Sequence, residues 1–391
     1  MVLHRNILVL LFIFCALASD ARDGADFAIP NARTAALGGP HTGLADDLET
    51  LFVNPAGLAD VDPHFRYAQL SVGASGPIFT LAGVVMQAFG GADVAALIAT
   101  PEVQQSLAGL DARLWLSGPV AVGYAGGGTG FGVFNDTELR VVNSASSGLQ
   151  MRVGERLLVR GGYAIDIPVP AASSSRLAVG IGVKGFVRGD SVFSTSLLGL
   201  PSLLESIGPE LLSESPFELI SGIGIDVGVR YVWSEMVAAA LTFDNVYSPY
   251  AVVAYPSLGG FLDSSAAPAP AEYATVPHEL NVGLAYMPPL GAMERYVQRV
   301  TLLLDYRDIL DFWFDPANAE NTVLKFGFGV EATILQVLSL RGGFNRGLFS
   351  AGLGLDLSFV RFNAAMYGTE LSSEPGFRPV YNLLIGLEFR G

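Results

Sequence analysis

The sequence predicts an all-β chain folded as a transmembrane antiparallel β-barrel of about 14 strands. Three observations predict it. First, hydrophobic residues make up 51% of the 391 positions and mean hydropathy is +0.44. Yet no stretch beyond the extreme N-terminus reaches the roughly eighteen consecutive apolar residues of a spanning helix. Hydrophobicity of that kind has to be spread by alternation, as in strands with lipid on one side and a lumen on the other. Second, the clearest segments have a period of two. In 222–233, Ile223, Ile225, Val227, Val229, Tyr231 and Trp233 alternate with Gly222, Gly224, Asp226, Gly228 and Arg230. Residues 279–286, 351–359 and 381–389 repeat the pattern. Third, the off-phase set is rich in Gly and charge, and aromatic residues gather at strand ends: Tyr231 and Trp233, Tyr247 and Tyr250, Phe312 to Phe314. Such girdles suit membrane interfaces. A water-soluble sandwich would need the apolar set to face a core.

Taken in order, the chain opens with His4 and Arg5, then an apolar run from Ile7 to Ala18, then Ser19-Asp20-Ala21. This reads as a secretory signal over 1–21, too short to span and cleaved near Ala21. Cys15, the only cysteine, leaves with it, and Phe14 before it disfavours lipid attachment. No disulfide or cysteine metal site is then expected. Residues 22–62 are expected to form a plug and 63–391 the barrel. Further strands are predicted at 65–74, 78–87, 111–124, 129–142, 150–156, 157–167, 176–189, 236–247, 297–308, 322–333, 336–345 and 361–367. With the segments above, the count is about 14–16, and an even number is expected for a bacterial barrel. Two segments break the alternation. Residues 91–110 carry Val94, Leu97 and Ile98, then Pro101, Val103 and Leu107, at helical spacing. Residues 197–212 do the same with Leu197, Leu200, Leu204, Ile207 and Leu211. Both read as short apolar loop helices. The Pro/Ala/Ser-rich stretch 251–277 reads as a surface loop. Glycine, 46 of 391, relieves crowding inside a curved wall and serves turns.

The net charge is −15, and removing Arg5 and Asp20 with the signal leaves it unchanged. An acidic balance argues against nucleic-acid binding. With no long charge run, the acids are expected in loops and turns. The mature chain has His41, His64 and His278, which lack metal-site spacing, so neither metal nor organic cofactor is expected. No Gly-x-Ser-x-Gly elbow is present. The run Gly126-Gly127-Gly128-Thr129-Gly130 lacks the Lys-Ser/Thr ending of a phosphate loop and reads as a strand–strand turn. A non-enzyme is expected.

The stretch Arg33–Asp60 carries the most specific signal: Ala45-Asp46-Asp47 followed by Asn54-Pro55-Ala56-Gly57-Leu58. It resembles the N-terminal segment of FadL/TodX-like outer-membrane channels for hydrophobic compounds, with spirochaetal FadL-like and PorV-like relatives. The resemblance is close over about 28 residues and architectural elsewhere, where it implies fourteen strands. It implies a bacterial outer-membrane channel for passive uptake of hydrophobic molecules, long-chain fatty acids foremost. The plug would act as gate and the loop helices, with Leu200, Leu204 and Ile207, as an apolar access groove. The partners implied are a hydrophobic small molecule and outer-membrane lipid. Alternatives are a PorV-like secretion or surface-attachment role with protein partners, and a general-diffusion porin.

From the residues themselves, Asp46 and Asp47 are expected to bridge lumen arginines, and Asn54-Pro55 to set a sharp turn. Arg230 falls on the polar face, and Arg113, Arg188, Arg341 and Arg361 are further candidates. Each suits a carboxylate, either a ligand's or a lumen acid such as Asp226 or Asp356. One departure stands out. The chain ends Leu387-Glu388-Phe389-Arg390-Gly391, with its aromatic residue two positions early for an outer-membrane barrel.

Overall fold

The computed structural model describes residues 29–77, 110–144, 148–169, 174–195, 209–314 and 319–391, with single positions between 83 and 104 and at 316. Among them the alternating segments form sixteen antiparallel strands: β1 (His64–Ser75), β2 (Asp111–Gly126), β3 (Thr129–Ser144), β4 (Gly148–Ile167), β5 (Ser175–Thr195), β6 (Phe217–Trp233), β7 (Val237–Tyr247), β8 (Pro249–Tyr255), β9 (Glu272–Thr275), β10 (Glu279–Tyr286), β11 (Val297–Tyr306), β12 (Phe326–Ile334), β13 (Leu338–Asn345), β14 (Leu348–Asp356), β15 (Val360–Glu370) and β16 (Pro379–Arg390). The ring closes because β1 pairs with β16 and β5 pairs with β6. β8 continues β7 along β6, and β9 stands above β10 beside β8, so the sixteen segments occupy fourteen places around the ring. Closure removes the two edges of a flat sheet; β9, paired with β8 alone among the described strands, keeps one open side.

Side chains sort as the pleat requires. Leu70, Leu116, Val159, Ile181, Val183, Leu284, Leu353 and Ile385 point outward and are exposed, while Arg66, Asp136, Arg156, Lys184, Asp226, Asp305, Glu331 and Glu388 point inward and are buried. The acids are therefore not confined to loops. Many line the lumen, each beside a cation, because an unpaired buried carboxylate is costly. Tyr231, Trp233, Tyr247 and Phe312–Phe314 are exposed as a girdle, but Tyr250 is buried and faces inward.

Several boundaries differ from the sequence reading. Segments 150–156 and 157–167 are one strand, β4, since Met151–Ile165 pairs with β5 without a break. The stretch 251–277 is not wholly loop: it carries most of β8 and all of β9. A bulge sets β8 off from β7. Three residues, Asp244 to Val246, stand opposite Asp226 alone, and Asn245 at φ +58° donates its backbone N–H to the Asp226 carboxylate at 2.8 Å. A bulge shifts the alternation and bends the strand. At 78–87 the described positions, Gly83, Met86 and Gln87, are helical rather than extended. Parts of 91–110 that are described, such as Leu97 and Val103, are helical. The signal 1–21, residues 22–28, and Leu200, Leu204 and Ile207 lie outside the described residues; Pro209–Glu214 just beyond is helical. At the C-terminus, Gly391 exchanges two backbone hydrogen bonds with Phe65 and Arg390 pairs with Asp356. The last two residues thus extend the ladder past Phe389.

Candidate functional site

Residues 29–62 lie within the ring, and their two halves are held by different physics. The first half is held by charge. Asn31 caps the short helix Ala32–Ala36, accepting from the backbone of Arg33 and Thr34. That cap aims Arg33 between carboxylates of both segment and wall. Its guanidinium donates to Asp46 and Asp47 at 2.7 Å each, and to Glu331 of β12 at 2.8 Å. Wall arginines complete the network. Arg299 reaches Asp46 at 2.9 Å, Arg341 reaches Glu331 at 2.6 Å, and Arg361 lies 3.6 Å from Asp47 and 3.5 Å from Asp356. Around these groups a polar cavity of about 260 Å³ opens toward the β12–β13 turn. Further along, both ring nitrogens of His41 face acceptors, the Asp305 carboxylate and the Leu37 carbonyl, and Thr42 donates its backbone N–H to Asp305 at 2.7 Å.

The second half is held by apolar packing. Leu48, Leu51, Leu58 and Val61 join Phe134, Leu158, Phe186, Ile220 and Tyr250 in one buried cluster. Phe52 packs edge-on against Phe134 at 4.9 Å, with the Arg160 guanidinium over its other face. Asn54 is fully buried and caps the 3-10 helix Pro55–Ala59, accepting from Ala56 N at 3.0 Å and donating to Thr42 O at 3.1 Å. One side chain thereby closes the Pro55 turn and ties the two halves together. Arg160 donates to Leu51 O at 2.7 Å, and Arg66 to Glu49 at 2.9 Å. Arg230 pairs with Asp60 of the segment, not with Asp226 or Asp356. Asp226 is taken by Lys184 at 2.7 Å, while Arg188 pairs with Asp190 and Arg113 with Asp111.

Glycines make this seating possible. A Cβ at Gly180 would lie on the Ala56 nitrogen and 2.6 Å from the Pro55 carbonyl oxygen; one at Gly228 would overlap the Asn54 amide. The sequence signal existed, since these glycines sit on the inward phase of β5 and β6. It had no partner until the segment was placed. The apolar row was missed as well: Phe134, Leu158, Phe186, Gly222 and Tyr250 are cross-strand neighbours on β3, β4, β5, β6 and β8. Among the described residues no cluster of His, Cys, Asp and Glu suits a metal ion.

Titration of the segment has two opposing parts. Burial raises the Asp47 carboxyl, but Arg33, Arg361 and Arg66 outweigh it and hold the group below its ordinary 3.8. Its stabilisation is complete above that value and is lost only as pH falls through the depressed one. Glu49 is raised above 4.5 by burial and by Asp47 despite Arg66. Its contribution is complete below 4.5 and is lost as pH rises through the raised value. Protease resistance of residues 29–62 is thus expected to be greatest in mild acid and to fall toward neutrality. Glu49→Gln should flatten that fall; an unchanged profile in the variant would rule out Glu49 as the source.

No family model matches the chain, and no curated protein does. Solved structures of similar arrangement include the toluene transporter TbuX of Ralstonia pickettii, at 12% identity over 92% of this chain and 97% of that one, with a TM-score of 0.48. The monoaromatic hydrocarbon channel CymD matches at 11% identity over 92% and 96%, with a TM-score of 0.49. A Pseudomonas aeruginosa FadL homologue matches at 12% over 94% and 99%, with a TM-score of 0.44.

Proposed function

We propose that this chain is an outer-membrane channel for passive uptake of hydrophobic compounds, with residues 29–62 as its plug. The exposed apolar belt on the outward phase supports the membrane setting, because hydrocarbon is the solvent that such a surface suits. The observation that carries the cargo class is the inward row Phe134–Leu158–Phe186–Tyr250, seated on Phe52 and Leu51 of the plug. A pore for polar solutes gains nothing from an apolar strip in its lumen. A greasy molecule gains about 25 cal/mol for each Å² of its surface removed from water there. Fatty acids are the cargo proposed, in keeping with the resemblance of Ala45-Asp46-Asp47 and Asn54-Pro55-Ala56 to FadL/TodX-like channels. The row is packed shut by the plug, so cargo reaches it only as Phe52 and Leu51 move away.

The test is saturable retention of a delipidated long-chain fatty acid by the purified barrel, with liposome swelling by sugars as the contrasting assay. Retention without swelling is expected. Phe134→Asn should weaken retention roughly tenfold, the equivalent of about 1.4 kcal/mol. Sugar-driven swelling with no fatty-acid retention would replace this reading with the general-diffusion porin.

A further inference from the structure

The outward face of the wall carries a site of its own. Cross-strand pairing sets two neighbouring outward rows side by side. One runs Leu157, Val187, Ser221, Ala251, Tyr273; beside it stand Val159, Gly185 and Ile223 on β4 to β6, and Pro249 paired with Thr275 on β8 and β9. Their central places hold small residues, Gly185, Ser221 and Ala251, while Leu157 and Val159 stand on one side and Tyr273 on the other. The result is an open groove of about 490 Å³ with no charged residue in its lining. That volume is within the roughly 300–1,000 Å³ of small-molecule sites. Behind it, β5 and β6 pair without interruption from Ser175↔Trp233 to Ser191↔Phe217. Phe186, Gly222 and Tyr250 of the inward row border the groove from within the wall.

Its height within the belt indicates its occupant. One outward row above Leu157 stands Glu155, exposed and hydrogen-bonded to Asn135 at 2.9 Å and to Thr137. The apolar belt on β4 thus stops at the groove's upper rim, where a lipid headgroup would lie. Below it Val159, Tyr163 and Ile165 continue the exposed apolar surface. The groove is continuous with the lipid-facing belt, and its long open side suits a flexible chain. A second barrel presents a convex wall, which fits such a hollow poorly. We infer that the groove holds one acyl chain of a membrane phospholipid, with the headgroup level with Glu155 and the chain running down past Gly185 and Val159. This rests on the membrane reading above and is independent of the cargo.

Native mass spectrometry of the full chain released from phosphatidylethanolamine nanodiscs tests it. One retained phospholipid is expected. Gly185→Leu combined with Ser221→Leu fills the groove; a Cβ at Gly185 meets nothing closer than 3.9 Å, so the wall accepts it. The double variant should lower retention roughly tenfold, whereas Ala351→Leu, outward on the far wall, should leave it unchanged. Equal retention in the double variant overturns the inference, as does a dimer that the double variant disperses. Failure of the wild-type chain to enter nanodiscs would overturn the membrane reading itself, whereas entry without retained lipid would overturn only the groove.

Discussion

Replacing Arg33 with Met is expected to unseat the plug while leaving the barrel folded. Among the described residues Arg33 is the one side chain that touches Asp46, Asp47 and Glu331 together, and all four groups are largely shielded from water. Removing the shared cation leaves carboxylates facing one another in a confined space. Breaking a buried pair in this way costs about 3–5 kcal/mol. Arg341 still neutralises Glu331, and Arg299 and Arg361 still face Asp46 and Asp47, so the loss falls on the seating of the segment. The measurement is limited proteolysis of residues 29–62 in proteoliposomes, with ion conductance read alongside. Rapid cleavage and a raised conductance are expected, with unchanged strand content by circular dichroism. Arg33→Lys should recover only part of the effect, since an ammonium cannot span three carboxylates as a guanidinium fork does. A protected segment in Arg33→Met would show that apolar packing alone seats the plug.

Gly180→Val tests that second anchor. Its inward Cβ would occupy the space of the Pro55–Ala56 backbone, which has no rotamer by which to yield. Overpacking of this kind costs about 1–3 kcal/mol even where neighbours can shift. Valine is favoured in strands, so β5 itself should form normally. The expected result is a folded barrel with a displaced Asn54-Pro55-Ala56 turn, seen as faster proteolysis of residues 29–62 and as altered ion conductance. Gly161→Val, on the outward face of β4 with its nearest neighbour Val183 Cγ2 at 3.6 Å, should change neither. If the two glycine variants behave alike, the close approach at Gly180 is not what seats the turn.

How much of this was legible beforehand varied with the interaction involved. Alternation is local: the phase of Ile223 to Trp233 can be read from twelve neighbouring residues, and the structure places that face outward. The Pro/Ala/Ser content of 251–277 masks β8 and β9, which become strands only by pairing with β6 and with each other. Arg230 stands on the inward phase that alternation gives it, but its partner, Asp60, lies far away in sequence and the pairing follows from where residues 29–62 rest. The loop leucines at 200 and 204 and Ile207, on which the access groove rests, lie outside the described residues.

The sequence by itself determined the barrel class, the outward and inward faces of its strands, and a distinctive N-terminal segment with paired Asp and an Asn-Pro-Ala turn. Each of these depends on residue period or on side-chain-to-backbone chemistry within a few positions. Tertiary structure alone decided that Arg33 is the centre of the charge network, that inward glycines are seats for the Pro55 turn, and that Phe134, Leu158, Phe186 and Tyr250 form one apolar row. It alone decided that Gly185, Ser221 and Ala251 make a groove on the outward face. The reason is register: which residues stand side by side across strands is set by the closure of the ring and by its bulges, and no single strand carries that information.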